Sequence, residues 1–449
     1  MMWLEFAVVA VAIYLGARMG GIGLGVTGML GMLIFTLGFG LKPADPPLEV
    51  MLIILSVVTT AAAMQAAGGM DYLVSVAAKL LRSKPNQITL LGPLVVYIFT
   101  MFAGTAHIIY SLLPVISEVA TKKRIRPERS LSMAVIAAHF AIVASPVSAA
   151  TATMLTIVND GALGLGDILK VSIPATLIGV IAGILFVMKR GKELNDDPEF
   201  LERLKDPEFA QSLDVSNENE EKQYSKEAKT SVILFTIGII AVVLFGSVSS
   251  VLPNFAETEG FEPNFVVGAN GKIRMAAMIE MTMLGITGLI ILLTKTSAAK
   301  VAKASLFNSA ATATIAVFGV VWMSATFMDA NRDVIESGLG GIVTEQPWTF
   351  AIALFILAAL LFSQAATTKA LMPLGVMLGI PYPMLIAFFP AVSGDFVIPG
   401  YPTLLAAINM DRTGTTKIGK YVLNHSFMLP GLVTTVVSIV FGILLVQIF

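Results

Sequence analysis

The chain has 449 residues, of which 56% are hydrophobic and only 13% charged, and its mean hydropathy is +0.83. No water-soluble domain of this size has that balance, so the sequence reads as an integral membrane protein. A net charge of −1 argues against a nucleic-acid partner, and the absence of cysteine excludes disulfides, zinc–thiolate sites and thiol nucleophiles.

The first apolar run, 3–17, has Glu5 near its start and Arg18 after it, the reverse of a signal peptide. Run 20–40 carries Gly21-Ile-Gly23-Leu-Gly25, a pattern for close helix packing. Run 48–67 is followed by an amphipathic piece, Asp71–Arg82. Run 88–120 is too long for one crossing, which needs roughly 20 residues, and too short for two with a turn. It is expected to be a re-entrant hairpin. Within it stands Phe102-Ala-Gly-Thr-Ala-His-Ile-Ile-Tyr-Ser-Leu-Leu-Pro114, with the pair Gly104-Thr105 at the tip. Run 130–158 is interrupted at Ser145-Pro-Val-Ser148, and run 166–188 closes the first half.

Residues 189–228 are rich in charge and form a linker. Its twin phrases, Asp197-Pro-Glu-Phe200 and Asp206-Pro-Glu-Phe209, predict two short helices with an Asp cap and Pro in the first turn. The second half then repeats the first. Runs 229–250, 273–293 and 308–328 precede an amphipathic piece, Asp329–Glu345, and a second long run, 347–379. That run contains Phe362-Ser-Gln-Ala-Ala-Thr-Thr-Lys-Ala-Leu-Met-Pro373, with Ser363-Gln364 as its polar pair. Run 384–409 is broken at Pro399-Gly-Tyr-Pro-Thr403, and run 426–447 ends the series.

The expected fold is therefore all-α, with about ten transmembrane helices, two re-entrant hairpins and helices broken at the midplane. Residues 1–188 and 229–449 form two repeats. With the N-terminus outside, all but six of the 29 lysines and arginines fall inside. Lys42, Lys170, Lys272, Arg274 and Arg332 fall outside, and Lys369 lies within a hairpin. The hairpins then open to opposite sides, as an inverted repeat requires, and both termini are expected to be periplasmic. Paired interruptions at matching places in two halves point to a transporter binding site.

All ten arginines fall in loops or at helix ends. A core without guanidinium can still hold an anion. Two hairpins and two broken helices supply four helix N-termini, each carrying roughly +0.5 of effective charge and free N–H groups. A dicarboxylate fits such a site; a cation-coupled site uses the same broken helices through their carbonyl ends. Ser145 ahead of Pro146 reads as an N-cap with Pro at the first helical position, and Tyr401 ahead of Pro402, with Thr403 beside it, is the counterpart. The tip pairs have a plainer reading as small-residue helix contacts.

Ionisable residues at membrane depth are functional hypotheses. His107 donates to substrate or carries a proton, or is a satisfied helix contact. His139 reads as structural. Lys369 adds positive charge to the site or snorkels outward. Glu280 reads as a polar helix–helix contact, and Asp395 as a coupling group. No Gly-rich nucleotide loop and no His-Glu-x-x-His occurs, and His107, His139 and His425 are too scattered for a metal site. No cofactor is expected, and no nucleophile–base constellation suggests an enzyme.

Several marks run nearly end to end: Tyr14-Leu-Gly-Ala-Arg-Met-Gly-Gly-Ile22, Gln65-Ala-Ala-Gly-Gly-Met-Asp71, Ala144-Ser-Pro-Val-Ser148, Ser363-Gln-Ala-Ala366, Tyr401-Pro402 and Asp411-Arg-Thr-Gly-Thr-Thr416. On these the chain resembles the anaerobic C4-dicarboxylate carriers of bacterial inner membranes, the Dcu family. The resemblance implies exchange of fumarate, malate or aspartate for succinate by an elevator-type fold. Scaffold spans 3–67 and 229–328, often dimeric, would stay still while hairpins and broken helices move. It places the equivalents of Thr105, Ser145, Ser148, Ser363, Gln364 and Thr403 around the substrate. Gly104, Pro146, His107, Thr367 and Tyr401 complete the expected binding set. Two positions depart from the family pattern: Asp395 stands where relatives carry an apolar residue, and the second break reads Ile398-Pro-Gly-Tyr-Pro402. These leave open a proton- or sodium-coupled symporter. A membrane co-sensor docking through the linker is the remaining alternative, although Leu404 replaces an acidic residue associated with that role.

Overall fold

A computed structural model describes the chain except residues 20–21, 159–162, 214–222, 248–251, 257, 259–260, 335–344, 422 and 449, and the side chains of 17, 107, 212, 309, 310, 313 and 317. The expected piece Asp329–Glu345 falls largely outside the described residues. The described fold is all-helical, with only isolated β-bridges beside the helices.

In the first half, α1 (Met2–Met19), α2 (Gly23–Leu33) and α3 (Leu48–Ala66) are followed by the amphipathic α4 (Gly69–Ser83). Then come α5 (Ile88–Ala103) and α6 (Ile109–Lys122), α7 (Pro127–Val143) and α8 (Ala149–Val158), and α9 (Leu165–Val187). The linker holds α10 (Pro198–Arg203) and α11 (Pro207–Ser212). The second half runs α12 (Lys226–Ser247), α13 (Met275–Thr294), α14 (Ala298–Ala302), α15 (Ser305–Ala330), α16 (Trp348–Leu361) and α17 (Gln364–Met377). It ends with α18 (Tyr382–Phe388), a 3-10 stretch Phe389–Phe396, α19 (Pro402–Met410) and α20 (Met428–Leu445).

Among the described residues, six helices are long and apolar enough to cross a membrane alone: Leu48–Ala66, Pro85–Ala103, Leu165–Val187, Lys226–Gly246, Met275–Thr294 and Met428–Leu445. Two of the other expected crossings are divided, whereas α1 and α15 are unbroken. Run 130–158 is split into α7, of 17 residues, and α8, of 10, and run 384–409 into α18, the 3-10 stretch and α19, so each piece is shorter than the roughly 20 residues of a typical crossing. The arms of the second long run, α16 and α17, have 14 residues each. α5 with its leading 3-10 turn is long enough to cross by length alone, so length does not by itself fix the depth of the first hairpin.

Small residues let the early helices touch through their backbones. A Cβ on Gly25 would meet the Ile315 carbonyl, and one on Gly319 would meet Gly25, so α2 and α15 pack at glycine contact. α3 and α13 are joined by polar bonds: Thr60 Oγ1 donates to the Met283 carbonyl at 2.7 Å, and Thr287 Oγ1 donates to Thr60 Oγ1 at 3.0 Å. The largest buried cluster centres on α7, where every residue from Met133 to Ala138 is fully enclosed. That helix is the axis on which the interrupted segments of both halves converge.

The linker follows its predicted caps. Asp197 accepts from the Glu199 and Phe200 N–H groups, Asp206 accepts from Glu208 N–H, and Pro198 and Pro207 open the two helices. It is also fastened down. Arg126 Nη1 meets Asp197 Oδ2 at 2.6 Å, and Arg129 Nη1 meets Glu193 Oε1 at 2.5 Å. Arg203 Nη1 donates to the Thr413 carbonyl at 2.8 Å, and Lys417 pairs with Glu199 at 3.1 Å. Phe200 is buried under the Arg124 guanidinium. The receiving loop is knitted by Asp411, whose carboxylate accepts from Thr413 N, Thr415 Oγ1 and Thr416 N at 2.9, 2.8 and 2.6 Å.

Candidate functional site

The first tip is a five-residue turn. α5 ends on Gly104 in the left-handed conformation (φ +69°), and a 3-10 turn, Ala106–Ile108, leads into α6. Thr105 lies half-buried in the turn, and the side chain of His107 lies outside the described residues. A Cβ on Gly104 would stand 2.8 Å from the Val147 carbonyl oxygen, so the tip presses on the break in the next helix pair. The second tip is tighter. Phe362 takes the left-handed position (φ +50°), and α17 begins two residues later with Ser363 as its cap. Ala366 N–H donates to Ser363 Oγ at 3.2 Å, and Thr367 Oγ1 donates to the Ser363 carbonyl at 2.8 Å. The backbone counterpart of Gly104 is thus Phe362. Gly104-Thr105 and Ser363-Gln364 do not occupy equivalent places, because Gln364 is already helical.

The first break corrects the expected cap. The helix after it starts at Ala149, not Pro146, and Ser148 is the residue that caps it. Thr151 N–H donates to Ser148 Oγ at 3.1 Å, while Ser148 Oγ donates to the Ile142 carbonyl at 2.6 Å. The end of α7 explains the shift. Ser145 is still bound into it through its N–H to Ile142 O, and its Oγ accepts only from Val147 N–H at 3.3 Å. The first α8 turn therefore cannot open until Ser148. Pro146 faces the other way and lines an apolar crevice of about 520 Å³ with Met101, Phe102, Leu169 and Ile239. The second break meets its expectation: α19 begins at Pro402 with Tyr401 in the extended cap position (ψ 135°), although Tyr401 makes no capping hydrogen bond.

His139, which reads as structural in the sequence, is the hub. It sits fully buried in α7. Its Nε2 is 2.8 Å from Thr403 Oγ1 of α19, and its Nδ1 is 2.8 Å from Asp395 Oδ1. The Asp395 contact lies off the line of a regular hydrogen bond, and no other donor among the described residues reaches either carboxylate oxygen. The His139 carbonyl accepts from Gln364 Nε2 at 3.2 Å and from Ser393 Oγ at 3.4 Å. The Tyr401 ring stands edge-on to the imidazole at 4.9 Å, and Phe362 lies 6.1 Å beyond Tyr401. One residue of the first half thus ties together the tip of the second hairpin, the 3-10 stretch and the second break.

The structure therefore gathers Gln364, Tyr401, Thr403 and Asp395 around His139, and Gly104, Ser145 and Ser148 at the end of the same helix. Lys369 takes part in none of these bonds; the charge that acts on it is that of Glu49 in the first turn of α3. Glu280 on α13 has Glu49 of α3 as its charged neighbour, and its buried Oε1 has no hydrogen-bond partner among the described residues. Sequence reading also missed a cleft of about 310 Å³ lined by Gln65, Ile108, Tyr110, Ser111 and Ser305 beside the first tip. Gln65 is held there by Ser305 Oγ and Leu306 N–H. The signal was present: Gln65 opens one of the marked motifs, and Tyr110 and Ser111 follow the tip directly.

Chemically, the arrangement offers hydroxyl and amide donors beside the starts of α8, α17 and α19, whose first N–H groups favour an anion. It holds no arginine and no lysine at its centre among the described residues.

Comparison with known proteins gives a consistent picture. The family described as anaerobic C4-dicarboxylate membrane transporter (DcuA_DcuB) matches residues 1–449. The chain is 42% identical over 449 residues to the C4-dicarboxylate transporter DcuA of Wolinella succinogenes, covering 100% of both. It is 39% identical over 446 residues to DcuA of Escherichia coli strain K12, covering 99% of each. It is 38% identical over 445 residues to the anaerobic C4-dicarboxylate transporter DcuB of Escherichia coli O6:H1, covering 98% of this chain and 97% of the relative.

Proposed function

Because this chain belongs to the anaerobic C4-dicarboxylate membrane transporter family, we propose that it is a C4-dicarboxylate exchanger of the bacterial inner membrane. It takes up fumarate, malate or aspartate and releases succinate by alternating access. The observation that carries the reading is the gathering of interrupted helices from both halves on α7, with Gln364 and Thr403 on His139 and Ser148 on Ile142. Three helix starts of roughly +0.5 each, with a fourth from α6, approach the −2 charge of a diacid without any buried guanidinium. Thr105, Ser145, Ser363, Gln364 and Thr403 supply the donors, Ser148 caps α8 beside them, and Thr367 braces Ser363.

In this reading α5–α6 and α16–α17 are re-entrant hairpins opening to opposite sides of the membrane. Helices α1–α3 and α12–α15 are a static, dimer-forming scaffold, and both termini are periplasmic. The hairpins and broken helices carry the diacid as one moving body.

Counterflow in proteoliposomes tests the exchange. Vesicles loaded with succinate accumulate labelled fumarate, and empty vesicles do not. Uptake into empty vesicles under a proton or sodium gradient replaces exchange with symport. No uptake in either case refutes the substrate assignment.

A further inference from the structure

The buried His139–Asp395 contact at the centre of the site has no part in a passive diacid cradle. His139 and Asp395 are both fully enclosed, 2.8 Å apart, and belong to different halves of the chain. An unpaired charge at such a place is costly, and one proton shared by the pair brings its net charge to zero. The other imidazole nitrogen faces Thr403 Oγ1 at 2.8 Å. That contact has two polarities. With a proton on Nε2 the ring donates, and the Thr403 hydroxyl proton is free to point elsewhere. Without it Nε2 is an acceptor, and the hydroxyl proton is spent on the ring.

No other charge competes at this position among the described residues. α5 carries only Tyr97 as an ionisable side chain, and its hydroxyl is engaged by Thr176 of α9 at 2.8 Å. α8, α16 and α20 carry none. α9 carries Asp167 and Lys170 in its first turns, paired with each other at 3.5 Å. α18 carries Tyr382 at its start, and α19 has Tyr401 at its cap, with Tyr110 of α6 beside it. α17 carries Lys369, acted on by Glu49. His425 is bonded to the Val397 carbonyl at 3.1 Å, near Arg190. The turn Ala106–Ile108 brings His107 along the backbone against α7.

We infer that the His139–Asp395 pair is a proton-binding site that switches Thr403 between bonding the imidazole and bonding the diacid. The protonated pair is neutral and releases the Thr403 hydroxyl to a substrate carboxylate. The deprotonated pair is negative, repels the dianion and withdraws the hydroxyl. Diacid binding therefore brings one proton onto His139 Nε2, and diacid release lets it go. This rests on the diacid reading above.

The test is binding of succinate to the purified full-length protein, with proton uptake read by a pH indicator in weak buffer above neutral pH, where the diacid is the dianion. The wild type takes up protons on binding, approaching one per diacid, and its affinity falls up to tenfold per pH unit across the titration of the pair. His139→Gln keeps an amide donor toward Thr403, takes up no proton and binds with a flat pH profile. A His139→Gln variant with wild-type proton uptake and slope overturns the proposal. If that variant does not fold, Asp395→Asn decides: its pH profile moves along the pH axis, and an unmoved profile overturns the switch. Failure of the wild type to bind any C4-diacid overturns both the switch and the diacid reading, whereas binding without proton uptake overturns the switch alone.

Discussion

Gly104→Ala tests whether the first tip is seated against the Ser145–Ser148 break or merely passes near it. Two costs act at this position. The left-handed backbone (φ +69°) costs an L-residue about 1 kcal/mol. The added methyl would also stand 2.8 Å from the Val147 carbonyl oxygen and 3.1 Å from its carbon, both backbone atoms. Relieving such a contact costs typically about 1–3 kcal/mol. Gly40 is the internal control, since its φ is +68° and a Cβ there meets nothing within 4 Å. Gly40→Ala is expected to lose about 1 kcal/mol and Gly104→Ala about 2–4 kcal/mol. Thermal unfolding in detergent, with and without succinate, reads both. Gly104→Ala should also weaken diacid affinity by roughly tenfold for each 1.4 kcal/mol felt by the bound state. Equal effects of the two substitutions would refute the seating of the tip.

The cap residues separate in the same way. Ser148→Ala removes the cap of α8 and the donor to Ile142 O, costing about 1 kcal/mol and weakening diacid binding. Ser145→Ala, which loses one 3.3 Å contact, has the smaller structural effect. Ser363→Ala and Gln364→Ala each raise the half-saturation concentration for fumarate in counterflow, and normal transport in all of these variants would sink the proposed site. The linker clamp is pH-dependent. Burial pushes the Asp197 carboxyl up, but the Arg126 bond and charge and the Phe200 and Glu199 N–H groups outweigh it and hold the carboxyl below the usual range. A depressed carboxyl stabilises the docked state above its unfolded value of about 3.9, and the contribution disappears as pH falls through the lower folded value. An acid-tolerant protease should therefore cut the linker faster as pH drops through that window, and Asp197→Asn should be cut faster at neutral pH and lose the acid step.

The element pattern was legible because each segment announces its ends. Asp-Pro marks both linker helices, glycine marks the α2–α15 contact, and the small polar pairs mark the turns. The Ser145 cap was misread because Pro146 fits a first helical turn by composition, while the decisive fact is a backbone bond from Ser145 to Ile142 that only the folded α7 provides. His139 was underrated for a related reason. Its partners Thr403, Gln364 and Asp395 lie more than two hundred positions away in sequence, and a lone histidine on an apolar helix does not name them. The pairing of one ionisable residue in each broken run, His139 and Asp395, was the available clue. Membrane depth of the two tips is a matter of where lipid lies, which neither residue pattern nor helix length fixes.

The fastened linker has a mechanical consequence. Its first end is pinned to α7 through Arg126 and Arg129, and its helices reach across to Thr413 and Lys417 beyond α19. Such a strap is a gusset at a corner: it stiffens the joint between two members that the chain otherwise connects only through the long way round. The two broken helices cannot hinge apart at that rim without tearing four polar contacts in turn, so any displacement of one drags the other.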